Sequence, residues 1–128
     1  MICVDSDFCI ALLKGDEEAE RIMQRIEFEG TVYITSISMF EILYVTKNLK
    51  RSRQVATEKL IRSLEVLPFD YKSAVKAGDI GAKLAKKGEM IGTKDLFIGA
   101  IALTNGCKLV TRNVKHFKKI DGVEIIEW

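Results

Sequence analysis

The strongest constraint on the fold is the alternation of short apolar segments with longer helical ones along the chain. Five segments rich in apolar and β-branched residues predict strands, at residues 2–4, 31–35, 66–69, 108–111 and 123–126. Strands separated by helices pair in parallel, through right-handed crossovers. The sequence therefore predicts an α/β fold, a three-layer α/β/α sandwich around a parallel sheet of about five strands.

Helical segments fill the intervals between these strands, and capping residues mark their ends. Ser6 is predicted to cap the first helix, Ser36 or Ser38 the third, and Thr93 the helix before the fourth strand. Pro68 places the third strand at an edge of the sheet, because proline cannot donate a ladder hydrogen bond. The predicted helices cover residues 6–13, 16–28, 36 or 38 to 49, 52–64, 70–88 and 94–104, with a short turn after Asn113.

A length of 128 residues and a formal net charge of +2 indicate one domain, residues 1–128. No apolar run approaches the roughly 20 residues of a membrane helix, and the amino terminus lacks the pattern of a secretory signal. The number of cysteines is odd, and all three lie among apolar neighbours: Cys3, Cys9 and Cys107. We therefore expect reduced core thiols and a cytoplasmic protein. His116 is the single histidine and no CxxC pair is present, which argues against a zinc site.

Three acidic residues stand where the predicted fold does not require them. Asp5 directly follows the first strand, at the sheet edge where parallel α/β proteins bind ligands, although it could instead cap a helix. Glu41 lies among apolar helical residues and so needs a partner; the alternatives are a capping box with Ser38 or a salt bridge. Asp95 opens an apolar helix on its core-facing stripe, although acids are common in first helical turns.

Carboxylates that converge at one sheet edge repel each other, and a divalent cation removes that penalty. Hard oxygen ligands suit Mg²⁺ or Mn²⁺, which complete their coordination with water and substrate phosphates. The predicted chemistry is therefore metal-dependent phosphodiester hydrolysis. A single histidine and the absence of GxSxG and P-loop motifs argue against a hydrolase triad and a nucleotide-binding loop.

Four segments resemble, in order, the motifs of PIN domains: residues 5–7, 36–42, 91–100 and 111–117. They extend over nearly the whole chain, and its size is similar to that of the VapC-type toxins of toxin–antitoxin pairs. The resemblance implies a Mg²⁺- or Mn²⁺-dependent endoribonuclease with Asp5, Glu41 and Asp95 as catalytic metal ligands. Thr111 and Asn113 would lie near this site as substrate-binding candidates, and Arg112 is expected to position RNA phosphates.

Two features differ from the family pattern. Asp7 stands where the family often has asparagine, and it is expected to join the metal shell or to orient Asp5. The family often places a fourth acid in the last motif, whereas the candidates here are Asn113 and His116. His116 is a candidate to replace that acid, although a lone histidine is more often a surface or packing residue.

The resemblance also implies a homodimer and an antitoxin partner that blocks the site. Phe28 and Tyr44 are assigned to the core, with contact to such a partner as the alternative. One other function is a catalytically impaired PIN-like protein that binds RNA or a partner, motivated by the missing fourth acid. A second is a phosphoacceptor or nucleotide-binding α/β domain, against which stands the lack of a glycine-rich phosphate loop.

Overall fold

A central sheet of five strands is flanked by seven helices in the computed structural model, which describes residues 1–128. All strand pairings are parallel, so the predicted three-layer α/β/α sandwich is confirmed. The strands are β1 (Ile2–Val4), β2 (Val32–Thr35), β3 (Glu65–Leu67), β4 (Lys108–Thr111) and β5 (Ile125–Glu127), and the helices are α1 (Ser6–Leu13), α2 (Glu17–Glu29), α3 (Ser36–Thr46), α4 (Arg51–Arg62), α5 (Tyr71–Lys87), α6 (Thr93–Asn105) and α7 (Val114–Phe117).

β1 occupies the middle of the sheet, whose strand order is β3-β2-β1-β4-β5. Val4 lies in register with Ile34 of β2 and with Val110 of β4, so the carboxyl ends of these three strands are level. β3 is an edge strand, as predicted from Pro68, which follows it directly. The residues that follow β1, β2 and β4 therefore meet at one edge of the sheet.

Two apolar layers cover the two faces of the sheet. Helices α1, α2 and α3 supply one layer, in which Phe8 and Ile42 are fully buried. Helices α5, α6 and α7 supply the other, which contains Ile98 and Phe117. Packing in these layers holds the first turns of α1, α3 and α6 near the carboxyl edge of the sheet. None of the helices has the length and apolar character that a bilayer crossing requires.

Helix α6 packs closely on the segment that follows α7, because residue 99 is glycine. A Cβ atom at Gly99 would lie only 2.5 Å from Cδ1 of Ile120, a side chain that is almost fully buried. This close approach fixes the distance between α6 and α7, and both helices contribute side chains to the site described below.

The cap of α1 is Asp5, the alternative to Ser6 left open by the sequence, and the cap of α3 differs from both predicted residues. Asp5 caps α1 and accepts a hydrogen bond from the backbone N–H of Phe8, and Thr35 caps α3 through the backbone N–H of Ser38. The caps predicted at Ser6 and at Ser36 or Ser38 are wrong. Each helix follows its strand without a loop, so the last extended residue takes the capping position. The capping box of Ser38 with a later glutamate is absent for the same reason.

Other boundaries shift by one to three residues, and the largest shift is at the end of α3, which lies at Thr46 rather than at Leu49. Gly92 takes the N-cap position of α6 and offers no side-chain bond, so the cap predicted at Thr93 is wrong. Helix α4 begins at Arg51 rather than at Ser52, and β5 begins at Ile125, two residues later than predicted. Shifts of this size are common at element ends and leave the site residues on their predicted elements.

The core assignment of Phe28 and Tyr44 is wrong, because their side chains are 94% and 74% exposed. Helix α2 buries the face that carries Ile26, and Phe28 follows two residues later, on the opposite side of the helix. Tyr44 instead lies against Phe40, with ring centroids 5.9 Å apart, on the outer face of α3. Both side chains are available to a partner.

The three cysteines are free and buried, as predicted. Burial raises the pKa of the Cys3 and Cys9 thiols well above their usual range. Both thiols are therefore uncharged packing groups rather than nucleophiles, because the thiolate is the reactive form of cysteine.

Candidate active site

The structure brings Asp5, Glu41 and Asp95 to one cavity at the carboxyl edge of the sheet, with a volume of about 290 Å³. Asp5 ends the central strand, Glu41 lies in the second turn of α3, and Asp95 lies in the first turn of α6. The remaining lining residues are Ser6, Asp7, Lys94, Ile98, Asn113 and Phe117. Residues from four separate motifs of the sequence thus contribute to a single concave site.

Asp5 is the most buried acid of the site, with only 6% of its surface exposed. Its Oδ2 accepts a hydrogen bond from the Thr111 hydroxyl at 2.6 Å, and its Oδ1 accepts one from the Phe8 backbone at 2.9 Å. Burial raises the pKa of Asp5 from 3.8 to about 6, against the lowering effect of these two hydrogen bonds. The nearby carboxylates of Asp7 and Glu41 add to this rise.

Glu41 is held by two donors, neither of which was assigned to it from the sequence. Lys94 Nζ lies 3.3 Å from Glu41 Oε2, and the Ser6 hydroxyl donates to Glu41 Oε1, also at 3.3 Å. Of the alternatives left open by the sequence, the structure therefore contains the salt bridge. The signal for Lys94 was its position directly before Asp95, which places it in the same first turn of α6.

Asp95 is held by two residues of the last motif, Asn113 and His116. Its Oδ2 accepts a hydrogen bond from the Asn113 side-chain amide at 2.9 Å and lies 2.8 Å from His116 Nδ1. The backbone N–H of Asn113 in turn donates to the Thr111 hydroxyl at 3.0 Å. A chain of hydrogen bonds therefore connects Asp95, through Asn113 and Thr111, to Asp5.

The two other predicted site residues lie in different surroundings. Asp7 is exposed on the first turn of α1 and lines the cavity, where its charge contributes to the raised pKa of Asp5. Arg112 turns away, because its guanidinium carbon lies 3.6 Å from the ring centroid of Trp128. The Arg112 side chain is not among those that line the cavity.

The cavity is acidic, since four carboxylates and one lysine line it. No three histidine, cysteine, aspartate or glutamate side chains form a ready-made metal cluster, and protein groups contact the carboxylates of Asp5, Glu41 and Asp95. The chemistry of the donor set nevertheless fits a hard divalent cation: the acids of the cavity offer only oxygen atoms. Burial of the charged carboxylate raises the pKa of Asp5 to about 6 when no cation is bound. A bound cation would offset this cost of burying the charge.

These features define a parallel α/β domain with an acidic, oxygen-rich site at the carboxyl ends of its central strands. The chain belongs to the PIN domain family, because the family model described as "PIN domain" matches residues 2–123. The resemblance found in the sequence is thereby confirmed.

Three relatives resemble this chain over almost their whole length. The chain is 34% identical to "tRNA(fMet)-specific endonuclease VapC" of Salmonella typhimurium, over 98% of this chain and 96% of that protein. It is similar to a chain in the crystal structure of VapBC2 from Rickettsia felis bound to a promoter DNA fragment, with a TM-score of 0.91, 26% identity, and 100% and 99% of the two chains covered. It also resembles a chain in DNA-bound VapBC from Salmonella typhimurium, with a TM-score of 0.88, 30% identity, and the same coverage.

Proposed function

We propose that this protein is an endoribonuclease that hydrolyses phosphodiester bonds of RNA and acts as the toxin of a toxin–antitoxin pair. The observation that carries the proposal is the acid-lined cavity at the carboxyl ends of the central strands, in a chain of the PIN domain family. The relative from Salmonella typhimurium, which is named as a tRNA-specific endonuclease, supports RNA as the substrate. Water adds to phosphorus, one P–O ester bond breaks, and the leaving oxygen takes a proton.

Asp5, Glu41 and Asp95 are the residues that we propose as ligands of Mg²⁺ or Mn²⁺. When bound, the cation supplies an activated water and neutralises charge on the phosphate. Thr111 orients Asp5 through its 2.6 Å hydrogen bond, and Asn113 orients Asp95. These two residues keep the acids in place before the cation binds, which lowers the entropy cost of assembling the site.

The remaining site residues have supporting roles in this proposal. Asp7 adds negative charge at the cavity mouth, which favours cation binding. His116 contacts Asp95 and so takes the position of the missing fourth acid without its charge. Arg112 is exposed next to the cavity-lining Asn113, and we assign it to RNA phosphates outside the cavity, where it can leave the Trp128 ring.

A protein antitoxin and a second copy of this chain are the proposed partners. Support comes from the two similar structures, both of which are described as VapBC complexes bound to DNA. Phe28 and Tyr44 offer exposed apolar surface to a partner. We propose that residues 1–128 form one domain, because a single five-stranded sheet includes strands from both ends of this range. We place the protein in the cytoplasm on the basis of its free, buried cysteines.

A second candidate function is RNA or partner binding without cleavage. The observation that favours it is that the carboxylate of Asp95 contacts the side chains of Asn113 and His116, in a motif where the family often has an acid. A cation held by three acidic ligands is bound less tightly than one held by four, which would leave a folded protein that binds RNA or a partner but does not cleave RNA.

Cleavage of RNA by the purified protein separates the two candidates. Wild-type protein, Asp5→Asn and Asp70→Asn would be incubated with an initiator tRNA and with mixed RNA, in Mg²⁺, Mn²⁺ or EDTA. Asp70 is the matched control because it is also an aspartate N-cap, on α5 and outside the cavity. We expect cation-dependent cleavage by wild type and by Asp70→Asn, and none by Asp5→Asn.

Equal cleavage in EDTA, or by Asp5→Asn, would refute the metal site. RNA binding that is the same with and without cation, together with no cleavage of any RNA, would establish the binding-only function instead.

A further inference from the structure

Lys94 is the only lysine or arginine among the residues that line the acidic cavity. The other cation predicted to meet phosphates, Arg112, lies over the Trp128 ring instead. An RNA phosphate that enters a cavity lined by four carboxylates meets strong repulsion. The cavity itself offers one positive side chain to offset it.

The contact of Lys94 with Glu41 is loose enough to be exchanged. Lys94 Nζ lies 3.3 Å from Glu41 Oε2, and the Lys94 side chain is 60% exposed, whereas that of Glu41 is 24% exposed. Exposed ion pairs of this kind contribute little to stability, because water and salt screen them. The ammonium group sits on a flexible four-carbon chain that starts one residue before Asp95, so it can move within the cavity without any change in the backbone.

We propose that Lys94 is the phosphate-binding residue of this cavity and that it exchanges Glu41 for an RNA phosphodiester when substrate binds. The assignment rests on the proposed function of the cavity as a site for RNA. In the free protein Lys94 neutralises Glu41, and in the complex the same ammonium group donates to a non-bridging phosphate oxygen. Lys94 and a divalent cation therefore compete for the carboxylate of Glu41.

Because of this competition, a substitution of Lys94 should change the affinities for RNA and for Mn²⁺ in opposite directions. Lys94→Gln removes the phosphate donor and so weakens RNA binding, by about 10- to 100-fold if one charge-assisted hydrogen bond is lost. The same substitution frees Glu41 and so tightens Mn²⁺ binding. A residue that only supports the structure would weaken both affinities together.

The experiment uses the whole chain with three substitutions. Lys94→Gln removes the charge, Lys94→Arg keeps it, and Lys59→Gln removes one exposed charge on α4, outside the cavity. Mn²⁺ binding is measured from the electron paramagnetic resonance signal of the free ion. RNA binding is measured in EDTA by fluorescence anisotropy of a labelled oligoribonucleotide, and cleavage is recorded as kcat and KM in Mn²⁺.

We expect Lys94→Gln to bind RNA more weakly and Mn²⁺ more tightly than Lys59→Gln, with its cleavage defect mainly in KM. Lys94→Arg retains RNA binding. RNA affinity equal to that of Lys59→Gln, or Mn²⁺ affinity that falls, overturns the assignment. If wild type cleaves RNA but Lys94→Gln changes neither affinity, this inference alone is refuted. If Lys94→Gln weakens RNA binding and tightens Mn²⁺ binding but wild type cleaves no RNA, the nuclease is refuted and Lys94 is retained as the phosphate-binding residue.

Discussion

Burial of Asp5 disfavours its charged form in the folded protein. A substitution that removes this charge should therefore stabilise the protein. The pKa of Asp5 rises from 3.8 to about 6 because of burial. One pKa unit corresponds to about 1.4 kcal/mol, so ionised Asp5 costs the folded state about 3 kcal/mol. Asparagine keeps the N-cap hydrogen bond from the Phe8 backbone and carries no charge. We expect Asp5→Asn to raise the free energy of unfolding by up to about 3 kcal/mol at pH 8.

The stability gained by Asp5→Asn should depend on pH, because the pKa of Asp5 is higher in the folded chain than in the unfolded chain. Below about pH 4, Asp5 is protonated in both the folded and the unfolded chain, and wild type has the full stability of a neutral side chain. As pH rises to about 6 and beyond, the unfolded chain ionises first and wild type loses that stability. The difference between Asp5→Asn and wild type should therefore be near zero at pH 4 and reach its maximum above pH 7.

Urea or thermal unfolding at pH 4, 6 and 8, in EDTA, measures this difference. At pH 8 the expected gain corresponds to a rise in Tm of about 10 °C for a chain of this size. Asp70→Asn is the control: its exposed carboxylate has a pKa lowered by the hydrogen bond from the Ser73 backbone, so its own contribution is lost as pH falls. Added Mn²⁺ should raise the Tm of wild type and leave that of Asp5→Asn unchanged.

Two results would refute the reasoning about Asp5. One is a loss of stability in Asp5→Asn at pH 8, which would mean that its hydrogen bonds outweigh the cost of burying its charge. The other is a difference from wild type that is the same at pH 4 and pH 8, which would mean that ionisation of Asp5 does not differ between the folded and unfolded chain.

Asn113→Asp should add an acid next to Asp95, at the position where the Asn113 amide now donates at 2.9 Å. The added repulsion lowers Tm in EDTA, and Mg²⁺ binding, measured by calorimetry, becomes tighter. Looser Mg²⁺ binding would contradict this. Gly99→Ala should destabilise the protein by about 1 kcal/mol in urea unfolding, because its methyl group would lie 2.5 Å from Ile120 Cδ1. Ile120→Val removes that methyl, so it should reduce the penalty in the double variant, and an additive result would refute the contact.

The acids of the cavity were predictable because their positions relative to strands are fixed by local sequence. Asp5 follows an apolar strand, and Asp95 opens an apolar helix, so a parallel sheet must bring both to its carboxyl edge. Glu41 was predictable from its apolar surroundings, which require a partner for its charge. What the pattern could not give was which partner, since Ser38 and any nearby cation satisfied it equally.

The contacts that were missed depend on geometry between elements. Lys94 contacts Glu41 across two helices that are far apart in the sequence, and its position directly before Asp95 does not indicate that it reaches the carboxylate of Glu41. Arg112 stacks on Trp128 because β4 and β5 are neighbours, a pairing that the phosphate assignment did not use. The caps of α1 and α3 were misplaced because Asp, Ser and Thr are all favourable N-cap residues, and only the absence of a loop between strand and helix decides among neighbours.

The hydrogen bond between Asp5 and Thr111 joins residues that lie 106 positions apart. Ribosomes add roughly 5–20 residues per second, so about 5–20 s pass between the synthesis of these two residues. During that interval the growing chain lacks β4, and with it both one of the two strands that pair with β1 and the hydroxyl group that orients Asp5. A cell that makes this protein is therefore not exposed to an assembled cavity on nascent chains, and has that time in which to supply whatever binds the finished one.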